Sequence, residues 1–428
     1  MKIYKNLTVK FLQRGKKMNF FLFRHELKLM IQSRKNNLFI LFFLIGIVSY
    51  VFIILPEQEN LETFNVEQIE AQVMELDNLQ QAREGRRHTG GGFAPTSFYS
   101  SNNYKHFLFS AMLNAFEDQN YERLMRLRTF YLEAILQGQI MEEEMFKDSV
   151  FRNRDRSHYI EKKLMENKKL LSSDVDITYE MIEEKSALQV MKNIFLSFGP
   201  FLLLFSAIYF SNDILVRDSK QTTTVHGLPI SWYQYLNTKS IAAFSYTVIV
   251  TIFLFIITLT LLTIANGFGS FQMGVPILHI STDDVFSVFD YELISIFKYF
   301  LLTLSLAPIF MFVFIRLSMI LSLIFRNEWI VLILSSLFLF SERIYDMRGR
   351  EKLLHIGIDK FPQTYFDFGQ IVTGEKDYLI HGERVTFFNV ELLSYNRAII
   401  VAILFLVIVE VLLLLFTRWI PKNRFYKI

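Results

Sequence analysis

Residues 38–55 read LFILFFLIGIVSYVFIIL, eighteen positions without an acid or a base. A helix rises 1.5 Å per residue and needs about 20 mostly apolar residues to cross roughly 30 Å of hydrocarbon. This stretch therefore reads as a membrane span, and the chain repeats the pattern. Residues 193–212 (NIFLSFGPFLLLFSAIYFSN) are uncharged throughout. Residues 240–282 form a longer tract without Asp, Glu, Lys or Arg, whose part to about 265 reads as a span and whose remainder (NGFGSFQMGVPIL) reads as its exit loop. Residues 299–325 are interrupted once, by Arg316, and residues 398–417 once, by Glu410. A weaker segment, residues 329–341, offers 13 uncharged positions. Over the 428 residues, 52% are hydrophobic and mean hydropathy is +0.28, so the expectation is a polytopic, all-α membrane protein.

Charge placement predicts the orientation, since short cytoplasmic flanks collect Lys and Arg. Ten basic residues precede the first span against one acid, Glu26, which puts the N-terminus in the cytoplasm. That basic stretch is too long for a cleavable signal peptide, and no small-residue cleavage site follows. The loop before the fourth span carries Asp283, Asp284, Asp290 and Glu292 and no Lys or Arg, as an outside loop should. The tail RWIPKNRFYKI holds Arg418, Lys422, Arg424 and Lys427 and no acid, so it belongs inside. Both ends inside require an even number of crossings, and the weak segment 329–341 becomes the fifth of six. Overall, 45 basic residues against 42 acidic ones leave +3, which gives no reason to expect nucleic acid. The absence of cysteine excludes disulfides, thiol catalysis and Cys-ligated metals.

The resulting division is a basic cytoplasmic segment (1–37), a first span (38–55), an outer insertion (56–192), spans two to five (193–341) with a cytoplasmic loop at 211–239, a second outer segment (342–397), and a sixth span with its tail (398–428). The insertion is rich in helix formers. Val66, Ile69, Val73 and Leu76 recur at helical spacing between acids. Residues 85–103, with three consecutive glycines, serines and a proline, read as a mobile linker. Further helical patterns cover 104–116, 121–136, 157–171 and 177 into the second span. The insertion thus reads as an extracellular helical domain, and residues 342–397, with FPQTYFDF at 361–368, as a segment packed in part on the outer mouth of the spans.

Residues 17–34 set Phe20, Phe23, Leu27 and Met30 or Ile31 along one side, with Arg24, Lys28 and Arg34 among the others, the pattern of a basic helix lying in the headgroup plane. His25-Glu26 begins like HExxH, but position 29 is Leu and the zinc motif fails. Arg316 and Glu410 fall within spans on the cytoplasmic side of their midpoints, where they can pair; such charges face the bundle interior. Pro200 and Pro308 are candidate kinks and hinges in the second and fourth spans. No acid–base pair marks a catalytic site, so no enzyme is expected.

The loop 211–239 (SNDILVRDSKQTTTVHGLPISWYQYLNTK) runs from a polar helix through a Thr-rich turn and Gly-Leu-Pro to Lys239 at the start of the third span. In this it resembles the permease subunits of type-2 ABC exporters, whose corresponding loop docks on an ATPase. The resemblance carries the coupling role onto Arg217, Asp218, Thr222, Thr223, Gly227, Pro229, Ser231 and Lys239. It departs from the family where a Glu is usual and Asp213 or Asp218 stands, and where Gln221-Thr222 replaces Gly-Thr. It extends to the interfacial helix and the six-span plan, and leaves out the large insertion. No G-x-x-x-x-G-K-[ST] phosphate loop occurs in the chain. The resemblance therefore implies that ATP and Mg are bound by a separate ATP-binding-cassette subunit, that this chain binds no cofactor, and that a second permease copy or homologue completes the pathway. It implies export of a peptide, lipid or other amphipathic substrate, and the outer domain suits a surface-acting one such as an antimicrobial peptide. The alternative is a membrane-anchored peptide receptor or immunity protein acting through that domain. Abundant Lys, Asn, Ile and Phe suit a bacterial plasma membrane.

Overall fold

The computed structural model describes residues 19–60, 64–88, 97–141, 145–149, 151–219, 230–279, 290–345, 352–353, 355–381 and 393–427. A first helix, α1 (residues 19–32), turns at Ser33 into α2 (Arg34–Glu57). Helix α2 contains a π-helical turn at Tyr50–Ile54. Four amphipathic helices follow: α3 (Val66–His88), α4 (Ser97–Glu117), α5 (Tyr121–Leu136) and α6 (Arg152–Leu171), then the single turn α7 (Tyr179–Ile182). Asn120 starts α5 by accepting from the Arg123 amide, an N-cap of the usual kind. Helices α3 and α4 reach into the stretch read as a linker; residues 89–96 lie outside the described residues.

The second apolar stretch is two helices rather than one, α8 (Ala187–Leu196) and α9 (Gly199–Ser211), separated at Ser197-Phe198. Pro200 sits in the first turn of α9, where its missing N–H costs nothing, so it follows a break instead of kinking a continuous helix. The short α10 (Ile214–Ser219) continues toward residue 219. The remaining long helices are α11 (Trp232–Asn266), α12 (Ile296–Phe325, with Pro308 inside it), α13 (Glu328–Tyr345) and α16 (Tyr395–Trp419). Ser231, Ser295 and Ser394 cap α11, α12 and α16 by accepting from the backbone amide three residues on. Two short helices, α14 (Phe368–Thr373) and α15 (Glu375–His381), precede α16, and α17 (Lys422–Lys427) ends the chain.

Among the described residues, five helices are long and apolar enough to cross a membrane: α2, α9 with α10, α11, α12 and α16. Helix α12 is central, packed by α9, α11, α13 and α16. Helices α2, α11 and α16 instead turn Phe42, Ile53, Ile249, Ile252, Leu404 and Val407 outward, which only a nonpolar surrounding accepts.

The exit loop expected after α11 contains an antiparallel hairpin, β1 (Gly274–His279) with β2 (Asp290–Ser295), Val275 facing Ile294. Helices α6, α12 and α14 pack around β1. A strand covered on both faces shows a continuous apolar run rather than alternation, so VPIL carries no strand signal of its own and reads from sequence as part of the exit loop. A second, minimal pair joins β3 (Lys352–Leu353) to β4 (Ile356–Gly357). On this side of the bundle, far from α1, residues 361–381 lie over the helix ends. Phe366 packs against Phe310, Phe314 and Phe338, while Arg343 pairs with Asp367 at 3.2 Å and Lys376 with Glu342. At the opposite side, Trp232 meets Phe425 of α17 with ring centroids 5.6 Å apart, so α17 lies at the start of α11.

Candidate functional site: a buried charge network at the N-terminal side

Helix α1 is amphipathic, and its inward face carries a carboxylate. Met30 and Glu26 are buried, Phe23 and Leu27 half-buried, and Arg24 and Lys28 exposed, while Phe20 points outward. Glu26 Oε2 accepts from Arg217 Nη2 at 2.8 Å, and Oε1 from Lys239 Nζ at 2.9 Å. Lys239 Nζ lies 2.6 Å from Asp218 Oδ2, which also accepts from the Tyr235 hydroxyl at 2.5 Å. Lys239 is completely enclosed, with its ammonium 5.1 Å from the centre of the Tyr235 ring. Two acids and two bases cancel, which is the condition for holding such charges out of water.

Position in the chain gives this network its meaning. Arg217 and Asp218 are the end of α10, and Tyr235 and Lys239 the beginning of α11; they bracket the segment that contains Thr222, Thr223, Gly227 and Pro229. Those four residues lie outside the described residues. Ser231 is the N-cap of α11. Glu26 thus ties α1 to both arms of the loop at once. A second clamp lies one helix on: Lys35 Nζ donates to the Tyr209 carbonyl at 3.1 Å and to Asn212 Oδ1 at 2.6 Å, and pairs with Asp213 at 3.0 Å. Trp232 stacks on Tyr235 and touches Phe425, whose ring also carries the Arg326 guanidinium at 5.1 Å.

The two intramembrane charges meet beside this network. Arg316 Nε stands 2.8 Å from Glu410 Oε1, and the guanidinium donates to Ser240 Oγ at 3.0 Å and to Asn237 Oδ1. Since Ser240 follows Lys239, one arginine joins α11, α12 and α16 next to the Glu26 site. Sequence reasoning singled out Arg217, Asp218, Lys239, Arg316 and Glu410; it missed Glu26, Lys35 and Tyr235 as members. The available signal was Glu26 itself, the single acid among ten bases.

A second polar network holds the far side. His158 of α6 lies stacked on Tyr378, its Nδ1 2.5 Å from the Tyr291 hydroxyl and its Nε2 3.1 Å from Glu375 Oε2; Lys162 pairs with the same carboxylate. Tyr378 donates to Asp155 Oδ1 at 2.5 Å. Burial would raise the Glu375 carboxyl, but Lys162 and His158 outweigh it and hold it well below the usual carboxylate range. Glu166 behaves alike: burial opposes ionisation, yet Lys192 at 2.9 Å, with Lys163 and Lys162, brings it down to about 2. Among the described residues, no group of three or more acids and histidines is placed to hold a metal. Both networks tie together side chains from several separate elements.

Compared with known proteins, the chain matches no protein-family model, no curated protein and no solved structure.

Proposed function

We propose that this chain is the permease subunit of an ATP-driven exporter, acting as a pair of permeases with a separate ATP-binding-cassette ATPase that binds ATP and Mg. In this reading α1, residues 220–229 and α17 are cytoplasmic, α13 is the fifth of six crossings, and α3 to α7 with residues 342–394 face outward in a bacterial plasma membrane. The even number of crossings is supported by the Glu26–Lys239 and Trp232–Phe425 contacts, which bring α1 and α17 to the same end of α11.

The observation that carries the proposal is the Glu26 network. A loop that merely connects two spans does not need both of its arms locked to an interfacial helix by a buried, neutral set of four charges. A loop that receives force from an ATPase does, because a push on residues 220–229 then moves α1, α10 and α11 as one body. Rearrangement of that body against α12 is a rigid-body switch of the kind transporters use between inward- and outward-facing states. The cargo class suggested by the resemblance is a peptide, a lipid or another amphipathic molecule.

The test is co-purification of the tagged chain with its candidate ATPase, wild type against a Gly227→Ala/Pro229→Ala double substitution. The expected result is that wild type retains the ATPase and the double variant, inserted to the same level, loses it. Retention of no ATPase by the wild type overturns the exporter reading and leaves the receptor or immunity reading, centred on α3 to α7.

A further inference from the structure

A cavity of about 490 Å³ lies among α2, α8, α9 and α11, walled almost wholly by apolar side chains that include Phe43, Ile47, Phe195, Leu203, Leu254 and Phe255. Two departures from regular helix border it. On one wall is the π turn that begins at Tyr50, and on another the break at Ser197-Phe198 between α8 and α9. Such π turns are rare and gather at functional sites. Gly46 also lines the cavity, and a Cβ there would find nothing within 4 Å.

Most polar atoms on the walls are already used. Ser197 donates to the Asn193 carbonyl, Ser206 to Leu203 and Thr258 to Leu254. Tyr50 and Thr251 differ. Both residues line the cavity, and among the described residues neither hydroxyl has a hydrogen-bond partner. The contrast on α11 is pointed, since Thr247, Thr258, Thr260 and Thr263 all donate to the carbonyl four residues back. An unpaired hydroxyl in a nonpolar surrounding costs on the order of 1–3 kcal/mol, so two on facing helices call for an occupant that brings an acceptor with it. Tyr50 lies seven residues before Glu57, roughly 10 Å deeper along the helix. The polar layer of a bilayer leaflet is about 5–7 Å thick, which places Tyr50 just below the boundary where ester carbonyls end and acyl chains begin.

We infer that this cavity is a binding site for one acyl chain of a bilayer phospholipid, entering sideways between α2 and α11, with the Tyr50 and Thr251 hydroxyls donating to its ester carbonyl. Only the placement of the five apolar helices in a bilayer is required for this; an exporter is not.

The full chain, reconstituted in phosphatidylglycerol and phosphatidylethanolamine vesicles doped with a phospholipid bearing a diazirine on its acyl chain, is irradiated and its cross-links mapped by mass spectrometry. Labelling on α2 around Gly46 and Tyr50 and on α11 around Thr251 is expected to exceed that of Ile400, Ile403 and Leu404, exposed on α16 as an ordinary lipid-facing surface. Gly46→Phe, which fills the cavity, is expected to cut it roughly fivefold, equivalent to about 1 kcal/mol of site affinity. Tyr50→Phe/Thr251→Val keeps the shape, removes the hydroxyls, and is expected to cut it roughly threefold at constant insertion, as loss of net hydrogen bonding would. If Gly46→Phe fails to insert, the second variant decides alone. Cavity labelling no higher than that of α16, or insensitive to the hydroxyl pair, overturns the proposal. Labelling by a free diazirine fatty acid but not by the phospholipid overturns the assignment to phospholipid.

Discussion

Lys239 tolerates complete enclosure because two carboxylates and an aromatic face replace the water its ammonium gives up. Removing a single member of such a set leaves the opposite charge stranded, which costs about 3–5 kcal/mol in buried pairs, whereas removing a matched pair costs much less. Glu26 and Lys239 are 2.9 Å apart, so their substitutions must couple. Lys239→Met strands Asp218 and Glu26 against Arg217 alone; Glu26→Gln leaves Arg217 and Lys239 with only Asp218. In the double variant Arg217 and Asp218 remain, and the site is neutral again. The expectation is that Glu26→Gln/Lys239→Met loses at least roughly 1 kcal/mol less than the sum of the two single losses, measured by equilibrium unfolding of the purified protein in mixed micelles. Additivity within about 0.5 kcal/mol would mean that the contact carries no energy. The single acid of the N-terminal segment was visible in sequence, but its partners were not, because Arg217 and Lys239 lie 191 and 213 residues away and nothing local to α1 points at them.

The same limit applies to elements. Uncharged runs of eighteen or more residues announce a span because no other fold buries them, and α2 and α11 were legible for that reason, while α12 and α16 were legible as apolar stretches interrupted by a single charge each, Arg316 and Glu410. The break in the second span was legible only as a kink. Ser197, Gly199 and Pro200 weaken the helix locally, but a full interruption leaves carbonyls that need donors. One comes from Gln370, whose Nε2 donates to the Leu196 carbonyl at 2.9 Å across 174 residues. Gly369 permits that approach: a Cβ there would stand 1.9 Å from the Phe195 carbonyl oxygen. Helix α13 exceeds its 13 uncharged residues because Glu342 and Arg343 extend it, neutralised by Lys376 and Asp367 on the far side. Gly369→Ala is therefore expected to destabilise by at least about 3 kcal/mol, the high end of what an added methyl does in a packed site. Gly46→Ala, with open space around it, is expected to be neutral or to gain up to about 1 kcal/mol of helix propensity. Thermal unfolding of both variants in one detergent checks this, and equal effects would mean that close approach to the Phe195 carbonyl does not require glycine at 369.

At the scale of the whole molecule, the helices between the first two apolar stretches are fastened to the far side of the bundle through α6, and that fastening is ionic. Glu375 and Glu166 both have carboxyls held below their ordinary value of 4.5 by facing lysines, with His158 adding to the hold on Glu375. A carboxyl lowered on folding contributes its stability above the unfolded pKa, and loses it as pH falls toward the folded one. For Glu166 that window runs from 4.5 down to about 2, and the shift corresponds to on the order of 3 kcal/mol at neutral pH. Acidification below about 4.5 should therefore loosen α6 from α8 and α15 before it affects α12, whose packing is mainly apolar. Glu166→Gln is expected to be clearly less stable than wild type at pH 6, with that deficit roughly halved at pH 3, inside the window over which the advantage of the folded carboxylate is lost. Hydrogen exchange of α6 at the two pH values separates this from general acid unfolding. A Glu166→Gln deficit of the same size at both would show that Glu166 acts by packing and not by charge. The fastening would then not weaken in acid, and motion of the α3–α7 layer would have to reach the bundle through its covalent joints at α2 and α8.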